Sequence, residues 1–259
     1  MPRAACTIIE LFGPPAAGKT TFAKNLAAQL RGSNRPVELI LSFRPEETID
    51  HDDDGSAAPP LATLRRLARP AVELLASMRQ MSAVPQESPI ASELLYLLPP
   101  SSCLWSVRLR QYIARLQRAW RLAEQSNATV IVDQGYVQLV CSLVLQTRAP
   151  TMNAVEKALT LIPKADRWIF IDAPRQLLRA RLEARLRRQG WIERRFELDA
   201  EMSLRSIEVL NMLYSTLRRR DARILRIDTA ESSPSPDLLR IAVSADATAQ
   251  ATEQQTRPR

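Results

Sequence analysis

Gly13-Pro14-Pro15-Ala16-Ala17-Gly18-Lys19-Thr20 is a complete GxxxxGK(S/T) signature, and it directly follows the apolar run Cys6-Thr7-Ile8-Ile9-Glu10-Leu11-Phe12. The chemistry of such a loop is phosphate binding. A strand delivers the chain to a sheet edge, backbone N–H groups converge on phosphate oxygens, and a helix begins at the lysine with its positive end toward the anion. The residues that follow fit this arrangement, because Phe22, Leu26 and Leu30 fall on one helical stripe. With only six glycines and four lysines in the chain, an accidental match has a probability of roughly a few in ten thousand, so a tight turn that binds nothing is a poor alternative. Gly13 through Thr21 are therefore the expected nucleotide contacts. Lys19 would neutralise the β- and γ-phosphates, and the Thr20 hydroxyl would ligate Mg²⁺.

A phosphate loop needs an acidic partner, and two apolar runs end in aspartate: Val130-Ile131-Val132-Asp133 and Ile169-Phe170-Ile171-Asp172. Asp133 is the stronger candidate, as a Mg²⁺ partner and as the group that accepts a proton from an acceptor hydroxyl. Gln134-Gly135-Tyr136 reads as an open polar loop after it, whereas Asp172 runs into Ala173-Pro174 and a helix. A helix cap or plain loop carboxylate is the alternative for each. Downstream, the stretch from Arg175 to Arg195 concentrates guanidinium groups, and on a helix Arg181, Arg185 and Arg188 share a face. Arg185 and Arg188 are candidates to stabilise charge on a transferring phosphoryl group, with Gly190 as the hinge of a lid over 175–196. A solvated basic helix with ion pairs such as Glu183 to Arg187 is the competing reading.

Positioning these groups requires a sheet. Four further runs, Val37 to Leu41, Thr129 to Val132, Trp168 to Ile171 and Ile224 to Ile227, have the length and composition of buried parallel strands. Helical or long polar segments separate them, which predicts an α/β fold with helices on both faces and ligands at the C-terminal strand ends. A long insertion, 43–127, holds a Pro- and Asp-containing loop, a helix pattern from Leu61 to Met81, and proline breaks at Pro85, Pro89, Pro99 and Pro100. A long helix then runs from about Leu104 to Gln125. Trp105, Leu109, Tyr112, Leu116 and Ala119 or Trp120 form its expected core stripe, although the aromatics could also line an acceptor pocket. The organisation expected is one domain over 1–243, closing with a helix at Pro236 to Val243, and a disordered tail at 244–259.

The net charge of +8 is carried mainly by arginine, 32 residues against four lysines, scattered among acidic residues. That pattern fits coding bias rather than a nucleic-acid surface. Cys6, Cys103 and Cys141 are widely spaced and odd in number, fitting neither a disulfide framework nor a zinc site, so a cytoplasmic protein is expected. No signal peptide is read at the start, and Val137 to Leu145 is too short to span a bilayer, so no membrane role is expected. The single histidine, His51, reads as part of a solvated charged loop, with metal capture by its neighbouring carboxylates as the alternative. Histidine-based acid–base chemistry is thereby disfavoured, leaving Lys19, carboxylates and arginines as catalytic material.

These residues resemble the P-loop nucleoside and nucleotide kinases, most closely the thymidylate-kinase-like group. The similarity runs through the phosphate loop, Arg44-Pro45-Glu46 after the second strand, Arg110-Gln111 on the long helix, Asp133, the arginine-rich segment and Arg226-Ile227-Asp228-Thr229. The resemblance implies a five-stranded parallel sheet in order 2-3-1-4-5, ATP as phosphoryl donor, Mg²⁺, and an acceptor held by the insertion and strand ends. It places Arg44, Glu46, Arg108, Arg110, Gln111 and Gln134 at the acceptor. Gln134 departs from the family, standing where those kinases carry an arginine for the acceptor's own phosphate. Either the acceptor is an uncharged hydroxyl compound, or Arg44, Arg108 or Arg110 supplies the charge.

The expectation is an ATP- and Mg²⁺-dependent phosphotransferase acting on a nucleoside, a nucleotide or another hydroxyl-bearing metabolite. A nucleotide-binding regulator or slow ATPase, and a kinase of nucleic-acid ends, are the alternatives. A homodimer is left open.

Overall fold

The computed structural model describes residues 6–41, 89–188, 200–221 and 224–229. The elements in chain order are β1 (Thr7–Phe12), α1 (Lys19–Gly32), β2 (Val37–Ile40), α2 (Pro89–Leu97), α3 (Cys103–Gln125) and β3 (Thr129–Val132). They continue with α4 (Tyr136–Gln146), α5 (Met152–Leu161), β4 (Arg167–Asp172), α6 (Arg175–Arg188), α7 (Ala200–Arg220) and β5 (Ile224–Asp228). The five strands form one sheet in order β2-β3-β1-β4-β5, every pairing parallel. All five apolar runs of the sequence are strands, and the order is the one the resemblance implies.

Alternation along the strands splits the apolar side chains between two cores. Ile9 and Leu11, with Ile131, Ile169, Ile171 and Ile227, face α1, where Phe22, Ala23, Leu26, Ala27 and Leu30 are buried. Ile8, Phe12, Val130, Val132, Trp168 and Phe170 face the opposite way, against helices α2, α3, α4, α5 and α7. Glu10 shares this second face with Ile8 and Phe12, and it is a fully buried carboxylate in an otherwise apolar layer. Segment 137–145, the most apolar in the sequence, is the buried body of α4; a helix hydrophobic on all sides belongs in the interior. Among the described residues no helix is long and apolar enough to cross a membrane.

Two sequence expectations need correcting. The buried stripe of α3 is Leu109, Ile113, Leu116, Trp120 and Ala123, so Ile113 takes the place assigned to Tyr112, while Trp105 and Tyr112 are only half-buried. Aromatic bulk draws the stripe toward those two, but the Tyr112 hydroxyl reaches the Gln134 carbonyl and the Trp105 ring lies under the Arg108 guanidinium. The prolines of the insertion also bound an element, since Pro89 opens α2, and Pro99-Pro100 follow its end. Proline suits the first helical turn, where its missing N–H costs nothing. The helix expected at Leu61 to Met81, the loop before it, the closing helix at Pro236 to Val243 and the tail at 244–259 lie outside the described residues.

The direction of α3 follows from its contacts. Near its C-terminus the Ala123 carbonyl accepts from the Cys6 thiol, at the start of β1, whereas Tyr112 reaches Gln134, just past the end of β3. The N-terminal half of α3 therefore stands over the C-terminal edge of the sheet. Ile113, fully buried at this crossing, is expected to cost about 2–4 kcal/mol when truncated to alanine. Leu122, 59% exposed, is expected to change stability by no more than about 0.5 kcal/mol. Denaturant unfolding of Ile113→Ala and Leu122→Ala checks the rotated stripe.

Candidate functional site

The loop from Gly13 to Gly18 leaves β1 at the centre of the sheet. Gly13 has φ 154°, and a β-carbon there would stand 2.0 Å from the Ile171 carbonyl of β4, so only glycine lets the loop cross its neighbour. Gly18 is the N-cap of α1, with no side-chain cap and no acidic residue in the first turn. An uncapped helix start without a competing carboxylate leaves its positive end for an external anion.

The loop's acceptors are engaged within the protein. Lys19 Nζ donates to the Gly13 and Pro14 carbonyls, each at 2.8 Å. Arg181 Nη1 donates to the Ala16 carbonyl at 3.3 Å, and Thr229 Oγ1 donates to the Ala17 carbonyl at 2.8 Å. With those carbonyls turned inward, what this segment can present to a ligand is chiefly donors, which suits phosphate and not a cation. Pro15 is half-buried beside them, and Thr21 is exposed on the first turn of α1.

The acidic partner lies one strand away. Thr20 Oγ1 donates to Asp133 Oδ2 at 2.7 Å. Asp133 is fully buried, and its Oδ1 has no hydrogen-bond partner among the described residues. A buried carboxylate oxygen left without a donor is costly unless a ligand completes it. A hard cation bound by one carboxylate, one hydroxyl and phosphate oxygens would satisfy it, so Thr20 and Asp133 fit the Mg²⁺ that such loops use. Among the described residues no cluster of three or more His, Cys, Asp or Glu could hold a metal by itself, and His51 lies outside them.

Asp172, the other strand-end acid, is committed elsewhere. Its Oδ1 accepts from Ala173 N at 2.9 Å and its Oδ2 pairs with Arg226, whose guanidinium lies over Phe170 and Tyr214. The expected open polar loop after Asp133 is corrected. Gly135 and Tyr136 are buried, and Tyr136 begins α4 with its ring edge-on to Trp120 at 5.2 Å.

The acceptor candidates divide in three. Gln134, Gln111 and Arg108 are half-buried at the strand edge; Tyr112 Oη donates to the Gln134 carbonyl at 3.4 Å, and the Arg108 guanidinium lies 5.3 Å from the Trp105 ring centroid. Arg110 is exposed on α3. Arg44 and Glu46 lie outside the described residues. Arg185 and Arg188 sit on the backbone of α6, with side chains outside the described set, and residues 189–196 of the expected lid, Gly190 among them, lie outside the described residues. Glu183 pairs with Arg179; the Arg187 side chain, its expected partner, lies outside the described set.

Gln138 and Glu10 are residues of this site that the sequence does not single out, while Arg181 and Thr229 stand in motifs read there but not as contacts of the loop carbonyls. Gln138 Oε1 accepts from Gly13 N at 3.4 Å. Glu10 Oε1 accepts from Val137 N at 2.7 Å, capping α4 from a neighbouring strand. Burial raises the Glu10 pKa from 4.5 to about 7, against the opposing pull of the Val137 N–H and the Trp168 indole. A lone acid inside an apolar strand run was the available signal. Burial also drives the Cys141 thiol up to about 12, the Lys19 charge opposing it, which excludes a thiolate nucleophile there.

With this geometry in view, comparison with known proteins adds a family. An AAA domain family model matches residues 8–211. The chain belongs to that AAA domain family. The match runs from β1 into α7, and with the loop and strand order above it makes this AAA domain a P-loop kinase-like, nucleotide-binding protein. Among solved structures, 176 chains match. One is thymidylate kinase from Ehrlichia chaffeensis, 14% identical, covering 94% of this chain and 98% of that one with a TM-score of 0.40, a likeness too loose to carry an argument. No curated protein matches.

The buried acid makes a stability prediction for the AAA domain. A carboxyl whose pKa is higher folded than unfolded favours the folded state at low pH, and that contribution is lost as pH rises from about 4.5 to about 7. Glu10→Gln removes the dependence, so its stability relative to wild type is expected to improve by about 1–3 kcal/mol between about pH 5 and pH 8. Denaturant unfolding of both proteins across that range measures it.

Proposed function

We propose that the protein is an ATP- and Mg²⁺-dependent phosphotransferase acting on a small hydroxyl-bearing acceptor, such as a nucleoside or nucleotide. The observation that carries this reading is the 2.7 Å contact of Thr20 with Asp133, because it pairs a loop built for phosphate with a buried carboxylate whose second oxygen has no partner. In this reading Lys19 exchanges the Gly13 and Pro14 carbonyls for the β- and γ-phosphates, and amides from Ala16 to Thr21 hold the phosphate oxygens. Bound Mg²⁺ would supply charge neutralisation at the phosphates, with Thr20 and Asp133 as its protein ligands.

The acceptor would lie under the N-terminal half of α3, where Trp105 and Tyr112 offer ring surface and Arg108, Gln111 and Gln134 offer polar edges. In transfer the acceptor oxygen forms its bond to the γ-phosphorus as the bond to the β-bridging oxygen breaks. ADP leaves with that electron pair, and the hydroxyl proton passes to Asp133 or to solvent. Gln134 supports a neutral contact to the acceptor, since an amide cannot offset a phosphate dianion. Arg181, which already touches the loop, is the best-supported arginine of the lid, ahead of Arg185 and Arg188.

The test is a metabolite extract incubated with γ-labelled ATP and either wild type or Lys19→Ala. Label is expected in an organic product with wild type, and the rate is expected to fall by at least about a hundredfold in the variant, with an unchanged circular dichroism spectrum. Label appearing only in inorganic phosphate would favour a slow ATPase or regulator. Full turnover by Lys19→Ala would overturn the reading.

A further inference from the structure

The carboxylate of Glu10 lies inside the sheet, and nothing in phosphoryl transfer requires it there. It is fully buried on β1, three residues before the loop begins, and it is paired in register with Val132, the residue before Asp133. Its Oε1 takes the Val137 N–H at 2.7 Å, an N–H in the first turn of α4 that the helix's own N-cap, Gly135, has no side chain to satisfy. A β-carbon at Gly135 would stand 2.5 Å from Glu10 Cδ and Oε1 and 2.7 Å from Cγ. Gly135 and Glu10 are therefore fitted to one another, the missing side chain of one making room for the other.

This contact has a consequence for the site. The segment from Asp133 to Val137 is held at its start by Asp133 N on the Ile40 carbonyl at 3.0 Å and at its end by Glu10. Between those anchors the turn has little freedom, and Asp133 is the residue that it presents to Thr20. The strand that feeds the loop thus also sets the position of the loop's acidic partner. A leucine of similar size at position 10 would fill the space and leave the Val137 N–H buried without an acceptor, a loss that α4 can relieve only by shifting its first turn.

Resting on the phosphotransferase reading above, we infer that Glu10 is a positioning residue for the cation at the phosphate site: by bonding the Val137 N–H and seating Gly135, it holds Asp133 against Thr20. Its effect falls on the contribution of Mg²⁺ to nucleotide binding and spares the loop's own grip on phosphate, which depends on Gly13 to Thr21. A residue that merely supported the fold would weaken both together.

The experiment is titration calorimetry of ATP binding to the full chain, with Mg²⁺ and with the metal chelated, for wild type, Glu10→Gln, Glu10→Leu and Gly135→Ala. Wild type is expected to bind ATP more tightly with Mg²⁺. Glu10→Leu is expected to lose at least about tenfold of that gain while keeping its metal-free affinity, and Glu10→Gln, which retains an acceptor for Val137, to stay within about threefold of wild type. Gly135→Ala presses on the same contact from the other side and is expected to reproduce the selective loss, so it carries the test if Glu10→Leu does not fold. An undiminished Mg²⁺ gain in the folded variant, or an equal loss with and without Mg²⁺, would overturn the role of Glu10 alone. Absence of ATP binding by wild type would overturn the nucleotide reading itself.

Discussion

One hydrogen bond organises the candidate site, the 2.7 Å contact from the Thr20 hydroxyl to the buried carboxylate of Asp133. It joins the first turn of α1 to the end of β3, residues 113 positions apart, and it exists because β1 lies between β3 and β4. A phosphate loop at the end of a central strand has a neighbouring strand end on either side. Here one neighbour, Asp133, keeps an oxygen without a partner, while the other, Asp172, is neutralised by Arg226. The aspartates at the ends of the two strands that flank β1 thus have different uses, and the difference lies in their surroundings. An unpartnered buried carboxylate is a cost that folding alone does not offset, and a ligand that brings a cation is what would offset it.

Around that bond the protein supplies restraint more than charge. The loop's carbonyls are held by Lys19, Arg181 and Thr229, its first glycine crosses β4 where no side chain fits, and the turn carrying Asp133 is pinned by Ile40 and Glu10. Preorganised donors of this kind need little rearrangement when phosphate arrives. Lys19 is the exception. Its bonds to the Gly13 and Pro14 carbonyls must be exchanged for a nucleotide, so the loop carries a built-in competitor for its own cation.

Much of this was legible in the residue order. The loop could be read because its signal is local, eight residues flanked by a strand and a helix. The strands could be read because parallel strands buried on both faces are short apolar runs. Less legible were features set by distant contacts. Glu10 meets Val137 across 127 positions and Gly135 matters only because of Glu10, so neither residue type at its own position announces the pair. The stripe of α3 is legible at Leu109, Leu116 and Trp120, but Trp105 and Tyr112 look like core by size, while in space they meet Arg108 and Gln134. The loop after Asp133 looks open because Gln and Gly are polar or small, yet Tyr136 is buried with its ring edge-on to Trp120 of α3.

The central claim is that Asp133 completes a cation site at a nucleotide-binding loop. Calorimetric titration of Asp133→Asn with ATP, in the presence and absence of Mg²⁺, tests it most directly. The account predicts that the variant keeps its affinity for metal-free ATP within about threefold and loses most of the gain that Mg²⁺ confers on wild type. An Asp133→Asn protein with the full Mg²⁺ gain would contradict it.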